Sequence, residues 1–480
     1  MFCCFIGAKV RFFSYSAIFC VLYCLDYVDF VLSYRTKIAN FVLWYGILFV
    51  YLHFRNTEKM IDKELLKSII SEGYEYIPQV DIVPRNVTLE PAGNYVFVGV
   101  RQAGKSYSLY QQMQRKLDEG VPIENMVYVN FDDERLHGMQ ADQLDLILQA
   151  NYSVRETKPT FFFDEIQNVD GWENFARRLA NQKYQVFITG SNAKMLSRDI
   201  QSVLGGRYID VPIYPYSFAE FLLANGIELG SRWMYGQKRS EVERFFNMYF
   251  QWGGFPELTR FREKRVWLNG LYNRIFFNDL VVRNKIKNEE ALRLALRKLA
   301  ESVCQPVSYT RLCNMIKAVG VTCGTATVIE YVNHFIDACL IFPLQNFASR
   351  FVERETTKKF YFVDNGLLNL FLLENHSALL ENICAIEMRK RYGDNVYYYL
   401  HNIEVDFYVP EENLAVQASF RLSDKATINR EIDALVRLHK VHPLKRAVIV
   451  TRDEETTLNE GELVIDVVPV WKWLLMPKYN

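Results

Sequence analysis

The stretch GVRQAGKSYS, residues 99–108, decides how this chain is read. It meets the spacing G-x-x-x-x-G-K-[ST] through Gly99, Gly104, Lys105 and Ser106. A pattern this short arises by chance, so its flanks carry the weight. Upstream, YVFVGV (95–100) is a β-branched and aromatic run that reads as a buried strand. Downstream, SYSLYQQMQRKLDEG (106–120) has apolar positions at helical spacing and ends in Gly120, a suitable helix stop. A glycine-rich loop between strand and helix turns backbone N–H groups and a helix N-terminus toward an anion. Lys105 can then reach β- and γ-phosphates, and the Ser106 hydroxyl can ligate Mg2+. Gly99 and Gly104 allow a close backbone approach that a Cβ hinders. The candidate nucleotide contacts are Gly99, Arg101, Gln102, Ala103, Gly104, Lys105, Ser106 and Tyr107.

Two further pieces belong to the same chemistry. PTFFFDEIQNVDGWENFARRLAN begins with an apolar strand that ends in Asp164 and Glu165. Asp164 is placed to hold the Mg2+ shell, and Glu165 to polarise an attacking water as general base. QVFITGSNAKML then puts a strand (185–189) before Gly190, Ser191 and Asn192. Ser191 or Asn192, with Thr189 as a third choice, can orient the water against the γ-phosphate; a polar strand end that caps the next helix is the competing reading. Strands are also expected at 126–131 and 207–213, alternating with helices. That alternation predicts an α/β fold with a parallel sheet and right-handed crossovers, with ligands at the carboxyl ends of its strands.

With 480 residues, two to four domains are expected. Half the residues are apolar and 15% aromatic, enough for sizeable cores. Lys plus Arg and Asp plus Glu number 56 each, so a nucleic-acid surface can only be a local patch. The nine cysteines form no spaced pairs suited to zinc or to a disulfide framework, which fits a reducing, cytoplasmic setting.

The first 54 residues are crowded with Phe, Tyr, Leu, Val and Cys. Residues 38–54 carry no charge and stand at the short limit for spanning a bilayer. Upstream, Asp26 and Asp29 are costly at membrane depth, and Arg35, Lys37 and Arg55 flank both sides. The readings here are a mis-called start with Met60 as initiator, a membrane anchor through 38–54, or a buried apolar arm.

Taken in order, GVRQAGKSY, FFFDEIQNVDGWENFARRLA, FITGSNAKMLSRDIQSVLGGRY and PYSFAEFL resemble the bacterial and archaeal AAA-type P-loop ATPases. YFQWGGFPEL, FFNDLVVRNKI, KKFYFVDNGLLN and EVDFYV resemble the appended C-terminal region of uncharacterised function in that family. The resemblance covers about residues 60–475 and implies the Walker A and Walker B motifs, ATP as ligand and Mg2+ as its companion. It also implies an arginine acting on the γ-phosphate, at Arg207 in GGRY, with Arg198 as competitor. Such a finger stabilises transition-state charge and is worth ~10³–10⁵ in rate.

Residues 226–300 read as helices, with GGFPEL (253–258) as a turn between them. Residues 301–372 predict helix, helix and β-ribbon, the outline of a winged helix. Its second helix, expected over 323–342, has no Lys or Arg, which favours packing or protein contact over DNA. Arg350, Arg354, Lys358 and Lys359 are expected on a wing. From 373 to 480 the order α-β-β-β-α-β resembles restriction-endonuclease-like domains. Asp406 fits their strand aspartate and Glu381 or Glu387 could support it, but Gln417 and Ser419 stand where a Glu-x-Lys is needed. The expected plan is a hydrophobic segment (1–56), an ATPase domain (57–225), a helical segment (226–300), a winged-helix-like unit (301–372) and an inactive endonuclease-like unit (373–480). The expected function is an Mg2+-dependent ATPase driving its C-terminal module; the alternative is a nucleotide-gated switch that grips DNA or a protein. Assembly into oligomers is compatible with either.

Overall fold

A computed structural model describes residues 61–153, 157–191, 198–230, 232–373, 376–422 and 425–478. The apolar segment 1–56, with 38–54 inside it, lies outside the described residues. Among those residues no helix is long and apolar enough to cross a membrane. From Lys63 onward the chain forms one compact unit.

The first sheet contains β1 (Tyr95–Val98), β2 (Met126–Asn130), β3 (Thr160–Asp164), β4 (Val186–Gly190) and β5 (Ile209–Pro212). All its pairings are parallel, in the order β2-β3-β4-β1-β5. Strands of this kind are covered on both faces, which is why β1, β3 and β4 read as unbroken apolar runs. Phe162 of β3 and Phe187 of β4 stack with ring centroids 4.8 Å apart. The helix Trp172–Asn181 buries Trp172, Phe175, Ala176, Leu179 and Ala180, one face of a 3.6-residue period. β1 lies between β4 and β5, while β2, next in sequence, lies at the far edge. The chain thus leaves β1 in a new direction, and a crevice opens beyond the carboxyl ends of β1 and β4.

A helical stretch follows. Ser217 and Glu220 form a reciprocal capping box that starts the helix Phe218–Ala224. The helices Gln237–Trp252 and Lys264–Arg274 come next, and the latter continues into a π-helix, Ile275–Val282, which the periodicity does not signal. The helix Glu289–Glu301 leads into β6 (Val307–Ser308), the helices Tyr309–Lys317 and Thr325–Asp337, β7 (Ile341–Leu344) and β8 (Thr357–Phe362). These strands form an antiparallel sheet, β6-β8-β7. The expected helix over 323–342 is shorter: Cys339 has φ +53 and the apolar run after it pairs with β8 as β7. A short buried apolar run is ambiguous between helix and strand, and tertiary pairing decided it.

The last sheet is mixed, in the order β13-β14-β12-β11-β10-β9. Its strands are β9 (Tyr397–Leu400), β10 (Glu404–Val409), β11 (Leu414–Ala418), β12 (Arg446–Thr451), β13 (Thr456–Glu460) and β14 (Leu463–Pro469). Side chains alternate across it. Val416, Val448 and Val450 face the main core, while Ala415, Ala447 and Ile449 face Leu435 and Leu438 of the helix Lys425–Val441. The main apolar core runs unbroken from Ile77 to Leu474, through all three sheets.

Candidate functional site

The loop after β1 is shaped by contacts a side chain would prevent. A Cβ on Gly99 would lie 2.0 Å from the Ile213 carbonyl oxygen, and Gly104 has φ +99 with Arg85 Nη2 2.8 Å from where its Cβ would be. Gly104 starts the helix Lys105–Asp118. Arg85 fixes this loop from outside. Its guanidinium donates to the carbonyls of Ala103 (2.6 Å) and Tyr214 (2.8 Å) and lies 4.5 Å from the centre of the Tyr216 ring. No spacing rule points to Arg85, because its partners lie up to 135 residues away.

Lys105 is buried. Its ammonium donates to the carbonyls of Gly99 (3.2 Å) and Val100 (3.3 Å) and stands 3.6 Å from Glu165 Oε1. These are long contacts in a crevice, the kind an anion can replace. Arg101 points elsewhere, making a two-pronged bond to Asp279. Gln102 has φ +62, and Tyr107 is exposed beside Tyr110.

Asp164 and Glu165 leave the end of β3 in opposite circumstances. Asp164 is enclosed; the hydroxyls of Tyr128 (2.9 Å), Thr189 and Ser106 donate to it. Burial, then the charge of Glu165, pushes its carboxyl up. For Glu165, burial acts upward, but Lys105, Gln167, Ser191 and Arg101 outweigh it and hold the carboxyl below its ordinary value. Glu165 has φ +51 and ψ +41, a left-handed conformation that is uncommon for a side-chain-bearing residue and recurs at functional sites. The two neighbouring carboxyls are thus driven apart, Asp164 upward and Glu165 downward.

Ser191 is buried at the end of β4 beside Glu165 and Gln167. Thr189, the third choice, holds Asp164 and accepts from the Glu165 amide at 2.9 Å, so it orients the two acids. Asn192 lies outside the described residues. Arg207 is not brought to this crevice. It precedes β5, whose first residue Ile209 pairs with Tyr95, the first residue of β1. Its guanidinium donates to the Gly205 carbonyl of its own turn. The loop leaves the opposite ends of these parallel strands, so Arg207 faces away from it by the length of a strand. Arg198 begins the helix Arg198–Leu204.

The second cluster corrects an expectation. Lys359, expected on a wing, is fully enclosed among Glu381 (3.2 Å), Glu404 (3.0 Å) and Asp406 (3.2 Å). β8 runs along the main core rather than out into solvent, and burying an ammonium requires such partners. Arg354 donates to the carbonyls of Phe347 and Ser349, Lys358 pairs with Glu355, and Arg350 is exposed. Of the two glutamates considered beside Asp406, Glu381 is adjacent, while Glu387 pairs with Arg391 at 2.7 Å. Gln417 accepts from the Asp406 amide and donates to Glu431, and the Ser419 hydroxyl donates to the Arg421 carbonyl at 3.4 Å.

Another buried acid ties the halves of the unit together. Asp364, just after β8, accepts from the amides of Gly254 (2.7 Å), Gly366 (2.8 Å) and Leu367 (3.3 Å). Gly254 belongs to the GGFPEL turn, whose Pro256 comes to 3.7 Å of the Cβ position of Gly104.

The model of an AAA domain matches residues 93–222, and that of a domain of unknown function (DUF8612) matches residues 243–378. An uncharacterized protein of Methanocaldococcus jannaschii is 31% identical over 435 residues, covering 87% of this chain and 96% of that one. An uncharacterized protein of Haemophilus influenzae is 30% identical over 390 residues, covering 79% and 94%. Among solved structures, a Walker-type ATPase of Pyrococcus abyssi aligns at TM-score 0.38 and 14% identity, covering 66% of this chain and 97% of that one. The ORC1 protein of Aeropyrum pernix, solved with DNA, aligns at TM-score 0.24 and 14% identity, covering 64% and 96%. With both relatives matched over most of their length, the chain belongs to the archaeal and bacterial family of AAA-type P-loop ATPases that carry a C-terminal domain of unknown function.

Proposed function

We propose that this chain binds ATP with Mg2+ and hydrolyses it, and that the cycle acts on its C-terminal module. One observation carries the reading: Lys105, Ser106, Asp164, Glu165 and Ser191 arrive from the ends of three adjacent strands in one crevice. In this reading Lys105 gives up the Gly99 and Val100 carbonyls for the β- and γ-phosphates, while loop amides cradle the anion. Ser106 and Asp164, already joined by a hydrogen bond, would hold Mg2+, which neutralises phosphate charge. Glu165 takes the proton of a water as its oxygen attacks the γ-phosphorus and the bond to the bridging oxygen breaks. Gln167 and Ser191 hold that carboxylate in place. Arg207, facing away, can complete a site only on a second copy of the chain.

For the module, the order helix, strand, helix, helix, strand, short helix (Phe351–Thr356), strand over 289–362 supports a winged-helix-like unit. The helix Thr325–Asp337 offers no Lys or Arg, and Lys359 is enclosed, so a protein partner is favoured over DNA. The α-β-β-β-α-β order over 376–451 supports an endonuclease-like unit whose acids are occupied by Lys359. Steady-state phosphate release by the full chain tests the reading. ATP-dependent turnover that Glu165→Gln abolishes while ATP still binds supports the ATPase. Tight ATP binding without turnover in the parent would replace it with the nucleotide-gated switch.

A further inference from the structure

Arg101 belongs to the phosphate loop, yet its strongest partner belongs to the helical stretch 178 residues later. Its Nε meets Asp279 Oδ2 at 2.9 Å and its Nη2 meets Asp279 Oδ1 at 3.0 Å. Asp279 is buried, while Arg101 keeps access to solvent. The same carboxylate holds Arg283 at 3.2 Å. Arg101 also feels the charges of Glu165 and Asp132. The guanidinium of this loop residue is thus paired with Asp279 and within electrostatic reach of Glu165.

Asp279 lies in the π-helix Ile275–Val282. Such segments are rare and cluster at functional sites. The widened turn leaves carbonyls to satisfy, and Asn284 donates to those of Asp279 (3.3 Å) and Leu280 (3.0 Å). The ordinary α register is its nearest alternative, one residue away. Behind it, Arg293 of the helix Glu289–Glu301 stacks on Phe276 (4.1 Å) and Phe277 (5.8 Å). That helix packs into the core beside β8. A physical path thus runs from the loop to the three-stranded sheet.

We propose that the Arg101–Asp279 pair senses the terminal phosphate: ATP draws the Arg101 fork from Asp279 to the γ-phosphate, and the segment 275–283 shifts in response. The inference rests on the reading of the loop as an ATP site. A guanidinium fork fits a carboxylate and a phosphate equally well, so the exchange conserves its two-pronged geometry. Asp279 keeps Arg283 as counter-charge when Arg101 leaves, which prevents an unpaired buried carboxylate. ADP lacks the γ-phosphate and leaves the pair closed. Because ATP must break the pair, weakening it beforehand tightens ATP binding by linkage.

The experiment measures hydrogen exchange at residues 275–284 of the full chain. The states are apo, Mg–ADP and Mg with a non-hydrolysable ATP analogue, with affinities measured in parallel. In the parent, exchange in this segment rises with the analogue and not with ADP. In Asp279→Asn, it is high in all three states, and analogue affinity rises roughly tenfold, within the ~5–150-fold range of allosteric coupling, with ADP affinity unchanged. If Asp279→Asn does not fold, Arg101→Met at the exposed end of the pair serves instead and abolishes the ATP-over-ADP difference in exchange. An analogue that binds the parent but leaves this segment as ADP does overturns the inference and spares the ATP reading. So does parent-like analogue affinity in Asp279→Asn, or a parent-like exchange difference in Arg101→Met. Failure of the parent to bind the analogue at all overturns both.

Discussion

Two lysine–carboxylate clusters in this chain use the same residue types to opposite ends. At the phosphate loop, Lys105 makes two carbonyl contacts beyond 3.1 Å and a 3.6 Å approach to Glu165, at the floor of a crevice. In the C-terminal half, Lys359 is enclosed and held at 3.0–3.2 Å by three carboxylates. The first arrangement is loosely satisfied, by two carbonyls and one distant carboxylate. The second is satisfied internally, and its ammonium stands where a cation would have to enter. Both ammoniums are buried, so the number and closeness of their carboxylate partners, not residue identity, separate the two clusters.

The largest expected effects fall on the open site. Lys105→Ala removes the buried cation beneath the loop, and ATP binding measured by calorimetry should be lost. Glu165→Gln should keep binding and lower phosphate release by ~10²–10⁴-fold, the usual contribution of a general base. If both variants bind and turn over as the parent does, the contrast between the clusters is broken at its root.

Breaking the filled site should cost stability rather than activity. Lys359→Met leaves the buried Glu381 and half-buried Asp406 without their counter-charge and should destabilise the fold by about 3–5 kcal/mol at pH 7 in urea titrations. Burial, then Asp406, already pushes Glu381 up. Without Lys359 that shift grows, and a raised carboxyl stabilises below its unfolded pKa and loses that contribution as pH rises. The variant should therefore recover part of the loss at pH 5, and an equal deficit at both pH values would contradict this account.

Asp364 sharpens the comparison, as a buried acid paired with amides instead of a lysine. Burial, opposed by the amides of Gly254, Leu367 and Gly366 and by Lys390, brings its carboxyl to about 6. The folded value exceeds the unfolded one, so its contribution is present in acid and fades as pH rises through about 6. Relative to Asp364→Asn, the parent should lose about 2 kcal/mol of stability between pH 4.5 and 7. Parallel pH profiles for the two proteins would show that Asp364 titrates normally.

The smallest expected effect is none. With Lys359 among its acids, the C-terminal unit should show no Mg2+- or Mn2+-dependent cleavage of DNA or RNA, with or without ATP. Cleavage by the parent that disappears in Asp406→Ala would promote the nuclease reading.

Much of the nucleotide site is legible in the sequence because its parts are local. A glycine loop between strand and helix, or two acids ending an apolar strand, are patterns within ten residues. Thr189 reads from its own strand as a residue that could orient the water. Strand registry, unreadable from one strand, places its hydroxyl on Asp164 instead. The family pattern alone puts Arg207 in the site, and the parallel pairing of β5 with β1 carries it to the far end of the sheet.

The sequence by itself determined the parallel sheet and the position of Lys105, Ser106, Asp164 and Glu165 at its strand ends. Those features follow from periodicity and from short spacings, which backbone geometry converts directly into position. Only the tertiary structure decided that Arg85 braces the loop, that Arg101 reaches Asp279 and that Lys359 fills the acidic cluster. Each joins residues 18 to 178 positions apart, with partners from different elements. A side chain's role in such a pair is set by what folding brings beside it and by how much water is left there. Neither is written in its neighbours along the chain.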